Sequence, residues 1–317
     1  MMRGTGSDPD FTVAIPESSE DGLMAQATLA IDIGGTKLAS GIVASDGQVV
    51  RSSTVPTPTT SDPEELFEVL MNLVDGVVAG SEVPAVCGVG CGGPMEMGGT
   101  SVSPLNIPAW DGFALKGRLE ERLGIPVRVE NDAKALALGE SWVGAASGVQ
   151  SFLAMVVSTG VGGGLIVDGR LLDGESGNAG HIGHVVVEPT GRPCLCGAQG
   201  CLEAEASGTA IEAITGRPAR DAGPEMVERC GILVGRAVAS VVTLLDLRLC
   251  VVAGSVALGF GTPFFEAAQR SLTERTGLTY TDGARIVPAG LGASGPLIGA
   301  AAVGLGLGQS GRDERMP

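Results

Sequence analysis

Thr28-Leu29-Ala30-Ile31-Asp32-Ile33-Gly34-Gly35-Thr36-Lys37-Leu38-Ala39-Ser40-Gly41-Ile42-Val43-Ala44 reads as two apolar β-runs joined by a Gly-Gly turn. The turn leads from a strand into a second strand, not into a helix, so it is neither a Walker loop nor a dinucleotide fingerprint. Gly34 and Gly35 allow backbone amides to approach phosphate oxygens, Thr36 adds a hydroxyl donor, and Lys37 follows at once. Asp32 is placed to hold Mg²⁺, directly or through water. An ordinary tight hairpin is the competing reading of this loop taken alone.

The same chemistry returns further along. Ser158-Thr159-Gly160-Val161-Gly162-Gly163-Gly164 again sets hydroxyls and then glycines between two β-runs, SFLAMVVSTG and GGLIVDGR. Thr159, Gly160, Gly162 and Gly163 are therefore candidate phosphate contacts. Gly254 and Ser255, which follow the run Leu-Cys-Val-Val-Ala, offer bare backbone on which a nucleoside can rest. Between the loops, strands and helices alternate. Asp62-Pro63-Glu64-Glu65 opens a helix with an acidic first turn. Further helices are expected near 113–123, 132–143, 224–246, 262–275 and 295–307. The fold expected is α/β in two lobes, 27–131 and 132–296, with 297–308 a terminal helix returning to the first. Residues 1–26 read as a disordered leader and 309–317 as a tail.

Composition narrows the class. With 317 residues, 44% of them hydrophobic and 18% charged, the chain can bury sizeable cores. Aromatics are 3%, so those cores must be built from Ala, Val, Leu and Ile. A formal net charge of −16 disfavours nucleic acid and anionic membranes as partners. No apolar run is long enough to span a bilayer, and the N-terminus has no signal-like segment, so a cytoplasmic protein is expected. Its seven cysteines then read as thiols or metal ligands. Cys87, Cys91, Cys230 and Cys250 are scattered among apolar residues and are expected to be buried thiols.

Glu130-Asn131-Asp132 sits where a strand turns into a helix. Asp132 is either an N-cap or a base that accepts the proton of an attacking hydroxyl, with Asn131 bonding a neighbouring hydroxyl. A weak base suffices where the transition state is loose and positioning carries the rate. The chain's two histidines, His181 and His184, precede a cysteine cluster. His184, Cys194, Cys196 and Cys201 form a closed tetrahedral donor set of the kind that binds structural zinc. That knuckle would fix His181 and Glu203 beside it, where both can face a sugar.

DIGGTK, END, STGVGGG and GHIGH followed by CLCGAQGCLEAEASG, in this arrangement, resemble the ROK family over residues 28–307. The resemblance implies a two-lobe actin-like ATPase fold (a duplicated ribonuclease H-like unit) with a zinc knuckle. It also implies MgATP as donor, a hexose or amino-hexose phosphorylated at its 6-hydroxyl, and a homodimer. It makes Asp132 the catalytic base and Asn131, His184 and Glu203 sugar contacts. Asn106, in Asn-Ile-Pro-Ala-Trp, matches a further sugar-contact segment. Three positions depart from the family pattern. His181 stands where many family glucokinases have Glu, as in N-acetylmannosamine kinases, Gly92 where Pro is common, and Lys134 where a small or amide residue is common. A glucose-type acceptor is favoured, with N-acetylmannosamine or another amino-hexose such as kanosamine as the alternative. The family's repressors carry a DNA-binding helix pair before the first glycine loop. Only 31 residues, acidic and without such a pair, precede Asp32, so a sugar-responsive regulator is disfavoured.

Overall fold

In the computed structural model, which describes residues 27–308, two five-stranded mixed sheets are built on one plan. The first contains β1 (Thr28–Ile33), β2 (Lys37–Val43), β3 (Val49–Pro56), β4 (Cys87–Cys91) and β5 (Val127–Asn131), ordered β3-β2-β1-β4-β5. The second contains β6 (Phe152–Val157), β7 (Val161–Val167), β8 (Arg170–Leu171), β9 (Leu249–Ala253) and β10 (Arg285–Pro288), ordered β10-β9-β6-β7-β8. Each begins with an antiparallel three-strand meander and adds two strands parallel to the first of them. The leader and tail expected at 1–26 and 309–317 lie outside the described residues.

The parallel strands β1, β4 and β9 are covered on both faces, which is why they read as unbroken apolar runs. The nine helices of four or more residues among the described residues are α1 (Pro63–Val78), α2 (Leu115–Leu123), α3 (Asp132–Val143), α4 (Leu202–Ala206), α5 (Gly208–Thr215), α6 (Pro224–Leu245), α7 (Ser255–Phe260), α8 (Thr262–Arg275) and α9 (Gly295–Gly304). Helix α1 is started by Asp62, whose carboxylate accepts the Glu64 N–H at 2.9 Å, and by Pro63 at its first position.

Two helices join the halves by exchange. Helix α3 leaves the last strand of the first sheet and packs on β6 and β7 of the second; α9 leaves the second sheet and packs on β1 and β4 of the first. Both are buried nearly all round, and they cross each other between the sheets. Small residues set the spacing: a Cβ on Gly139 would lie 3.0 Å from the Gly299 Cα, and one on Gly88 would lie 1.9 Å from the Ala300 carbonyl oxygen. Apart from Trp110, stacked on Phe113 at 4.7 Å, and a few phenylalanines, the cores are aliphatic, as the composition requires. Cys87, Cys91, Cys230 and Cys250 are fully buried, and burial pushes the Cys230 thiol up to about 12.

One expectation needs correcting. GGLIVDGR is not a single strand, because Asp168 and Gly169 both have positive φ (50° and 73°) and turn the chain back into the short β8. This is the two-residue hairpin for which Asp-Gly is suited, and it gives the second sheet the counterpart of β3.

Candidate active site

The C-terminal ends of the parallel strands of both sheets carry the chemistry-bearing residues, the usual place for ligands in open α/β sheets. In the first sheet Asp32, Gly90 and Glu130 stand side by side in register, followed by Ile33, Cys91 and Asn131. Asp132 comes one residue later, at the first position of α3. Gly90 lies between the two acids: a Cβ there would make ordinary contact, 3.8 Å, with both Asp32 Oδ1 and the Asp132 Cα. Asp32 is buried, and burial together with the charge of Asp132 raises its carboxyl to about 7 against the opposing pull of Lys37. Asp132 is open to solvent but ringed by protein, which raises its carboxyl above the usual range. The Ala133 N–H and nearby His181 pull it back.

Asn131 is the N-cap of α3, its Oδ1 accepting the Ala133 N–H at 3.1 Å, a donor it shares with Asp132 Oδ1 at 2.7 Å. That commits the amide oxygen and leaves Nδ2, the end facing Gly93, to donate. The first glycine turn is exposed at its tip and closed by Gly34 N–H to the Lys37 carbonyl, 3.0 Å, and Thr57 Oγ1 to the Gly34 carbonyl, 2.6 Å. Neither Gly34 nor Gly35 has positive φ. Close approach decides Gly35: its Cβ would be 2.5 Å from that of Asn106, which lies against the turn. Nothing in the structure requires glycine at Gly92.

In the second sheet, Thr159 and Gly160 lie in the β6–β7 turn, while Gly162 and Gly163 lie beyond it inside β7. Those two are packing positions. A Cβ on Gly162 would press on Ala133 at 3.0 Å, and one on Gly163 on the Gly180 carbonyl oxygen at 2.9 Å. Gly254, at φ 101°, has Val157 so close that a Cβ would stand 2.2 Å from its carbonyl oxygen. Ser255 Oγ meets Ser158 Oγ at 3.0 Å, joining the Gly254-Ser255 loop to the turn.

Glu203 is half-buried, and its Oε2 accepts the Val161 N–H at 2.8 Å, so one carboxylate braces the second turn. His181 lies within the electrostatic reach of both Asp132 and Glu203. Burial, then His184 and Lys134, nevertheless lower it from its ordinary value, which leaves it neutral near pH 7. The rings of His181 and His184 are 6.1 Å apart.

His184, Cys194, Cys196 and Cys201 offer ligand atoms all within 4.8 Å of one another. Tetrahedral zinc, with bonds of about 2.3 Å to sulfur and about 2.05 Å to nitrogen, would place sulfurs about 3.8 Å apart and sulfur about 3.6 Å from nitrogen. Cys196 and Cys201 Sγ are 3.7 Å apart, and Cys194 Sγ is 3.6 Å from His184 Nδ1, so the donor set fits. The supporting loop admits no side chain at Gly200, where a Cβ would stand 1.6 Å from the Glu188 carbonyl oxygen. Buried Glu205 accepts the Arg192 N–H and pairs with Arg229, fastening the loop to α6.

Sequence reasoning did not reach Gly90, the bracing role of Glu203, or the buried Lys134, whose ammonium meets Glu130 and Asp173. Lys134 and Glu130 were visible as an i, i+4 pair spanning the strand–helix junction, but the loop between 171 and 181 offered no regular pattern that would place Asp173 near them.

The ROK family model matches residues 28–305. An N-acetylmannosamine kinase of Citrobacter koseri is 38% identical over 250 residues, covering 74% of this chain and 85% of its own. A glucokinase of Thermotoga maritima is 40% identical over 185 residues, 58% of each chain. Among solved structures, a ROK family glucokinase from Streptomyces griseus in complex with glucose and AMPPNP superposes with a TM-score of 0.78 at 30% identity, covering 88% of this chain and 99% of that one.

Proposed function

The chain belongs to the ROK family, and we propose that it transfers the terminal phosphoryl group of ATP to the 6-hydroxyl of a hexose. The observation that carries this reading is the chain of titratable groups that links the halves: Asp32 feels Asp132, Asp132 feels His181, and His181 feels Glu203, which braces the Thr159-Gly160 turn. The two glycine turns grip the phosphates from both sides, and the Gly254-Ser255 loop carries the nucleoside. Asp132, raised above an ordinary carboxylate, accepts the proton of the attacking hydroxyl. Asn131 donates from Nδ2 to a neighbouring hydroxyl. His184 turns Nδ1 toward the cysteines, so Nε2 is the nitrogen that meets the sugar. Glu203 links sugar and turn, because its other oxygen is free of the Val161 bond.

Two carboxylates opposed by the exposed Lys37 form a hard-oxygen site suited to Mg²⁺, which Asp32 would hold and which would neutralise phosphate charge. The Cys₃His set suits zinc as a four-ligand clamp with no open position, so it would supply rigidity. The acceptor is glucose-type on the Asn106 segment. A 2-acetamido hexose is the second reading, favoured by His181, a neutral imidazole that can donate where a carboxylate accepts.

A coupled ADP-release screen over hexoses and 2- and 3-amino hexoses tests both, with the phosphorylated position read by phosphorus NMR. The expected outcome is the highest kcat/KM for glucose and a shift further toward glucose in His181→Glu. A profile led by N-acetylmannosamine would select the second reading, and no sugar-dependent ADP release would refute the function.

A further inference from the structure

The segment 173–180 is a closed loop that runs from β8 to His181. Its neck is tied by the Ala179 N–H to the Asp173 carbonyl, 2.9 Å, with Gly174 at φ 75° packed on Ala179. Its tip reaches the other half of the molecule: a Cβ on Gly177 would lie 3.6 Å from the Met97 Cα. One side chain from outside enters the loop. Lys134, 2% exposed and the third residue of α3, places Nζ 2.7 Å from the Gly177 carbonyl oxygen, 3.2 Å from Asp173 Oδ1 and 3.5 Å from Glu130 Oε1. It therefore holds the neck and the tip of the loop at once. It does so from the helix whose first residue is Asp132, two positions away.

An ammonium this deeply buried persists only because three oxygens replace its hydration. Two of them belong to the loop, so the ammonium ties the loop to α3, and lifting the loop costs both contacts. The next residue after the loop is His181, beside Asp132.

We propose that Lys134 is a positioning residue for the acceptor, latching the 173–180 flap onto α3 so that His181 and the Gly177–Met97 contact stay in place around the sugar. The inference rests on the sugar-kinase reading for what the flap covers, but the latch itself is open to a measurement that needs no activity.

That measurement is cleavage of the apoprotein after Glu175, an exposed flap residue, by a glutamyl-specific protease, with fragments mapped by mass spectrometry. Lys134→Met, and the milder Asp173→Asn should the first fold poorly, are expected to speed this one cut about tenfold while cuts elsewhere keep their rates. In turnover assays the same variants should raise the acceptor KM about tenfold and leave the KM for ATP unchanged. An unaltered cut after Glu175 overturns the latch. A faster cut with an unmoved acceptor KM overturns its role in positioning the sugar. If the unmodified chain phosphorylates no sugar, the kinase reading fails, while the cleavage rates still decide the latch.

Discussion

The two halves share a strand order and differ in what they place at their strand ends. The first places carboxylates at the end of β1 and just after β5, Asp32 and Asp132, close enough that the charge of one acts on the other. The second ends β6 and β9 in Ser158, Thr159, Gly160, Gly254 and Ser255, with hydroxyls and bare backbone, and the carboxylate at its turn, Glu203, is bonded to the Val161 N–H. One duplicated scaffold thus gives one half a charged wall of strand ends and the other a wall of hydroxyls and bare backbone, neutral but for Glu203. In the proposed reaction the charged wall handles protons and cations, and the neutral wall holds the nucleotide. The second half also carries the Cys₃His donor set, a clip that would fix His184 with a metal bound and is followed two residues later by Glu203.

The comparison breaks most sharply at Asp132. Asp132→Asn should lower kcat by about a thousandfold, within the range of general-base contributions, while sugar and nucleotide dissociation constants measured by calorimetry stay within about threefold. A variant with near-normal turnover would mean that the charged wall does not take the proton.

A second test sharpens the role of Asp32. With its carboxyl near 7, a proton competes with Mg²⁺, so the dissociation constant for MgATP should rise about tenfold per unit as pH falls below about 7. Asp32→Asn should bind MgATP weakly with no such slope. The same linkage acts on stability with the opposite sense. A carboxyl whose folded value is raised stabilises the fold while protonated and loses that contribution as pH rises through about 7. Asp32→Asn should therefore melt higher than the unmodified apoprotein at pH 8, with the advantage shrinking toward pH 4. Parallel melting curves at every pH would contradict the raised value.

The smallest expected effect concerns the clip. Metal analysis should find one zinc per chain, and Cys196→Ser should lower Tm by roughly 5–10 °C and raise the acceptor KM together. An unchanged Tm would remove the clip from the account.

Much of this was legible in the sequence because it is local. Strand runs buried on both faces, the Asp62-Pro63 helix start and the His-Cys spacing each lie within a few residues, and the structure brings the four metal-type ligands together. What stayed hidden depends on contacts between distant segments. Gly35 is glycine because of Asn106, Gly164 because α3 runs against it, and Lys134 is a buried cation because of a carbonyl 43 residues away. Tripeptide patterns carry no record of such neighbours. The Asp168-Gly169 turn was a different case: its signal was present, but the apolar run before it suggested a longer strand.

The most direct test of the account is a crystal structure of the chain with a non-hydrolysable ATP analogue and its best acceptor. The account predicts both glycine turns on the phosphates and an Asp132 oxygen within about 3 Å of the sugar's 6-hydroxyl, in line with the terminal phosphorus. An acceptor oxygen beyond hydrogen-bond reach of Asp132, or a nucleotide held by one wall alone, would contradict it.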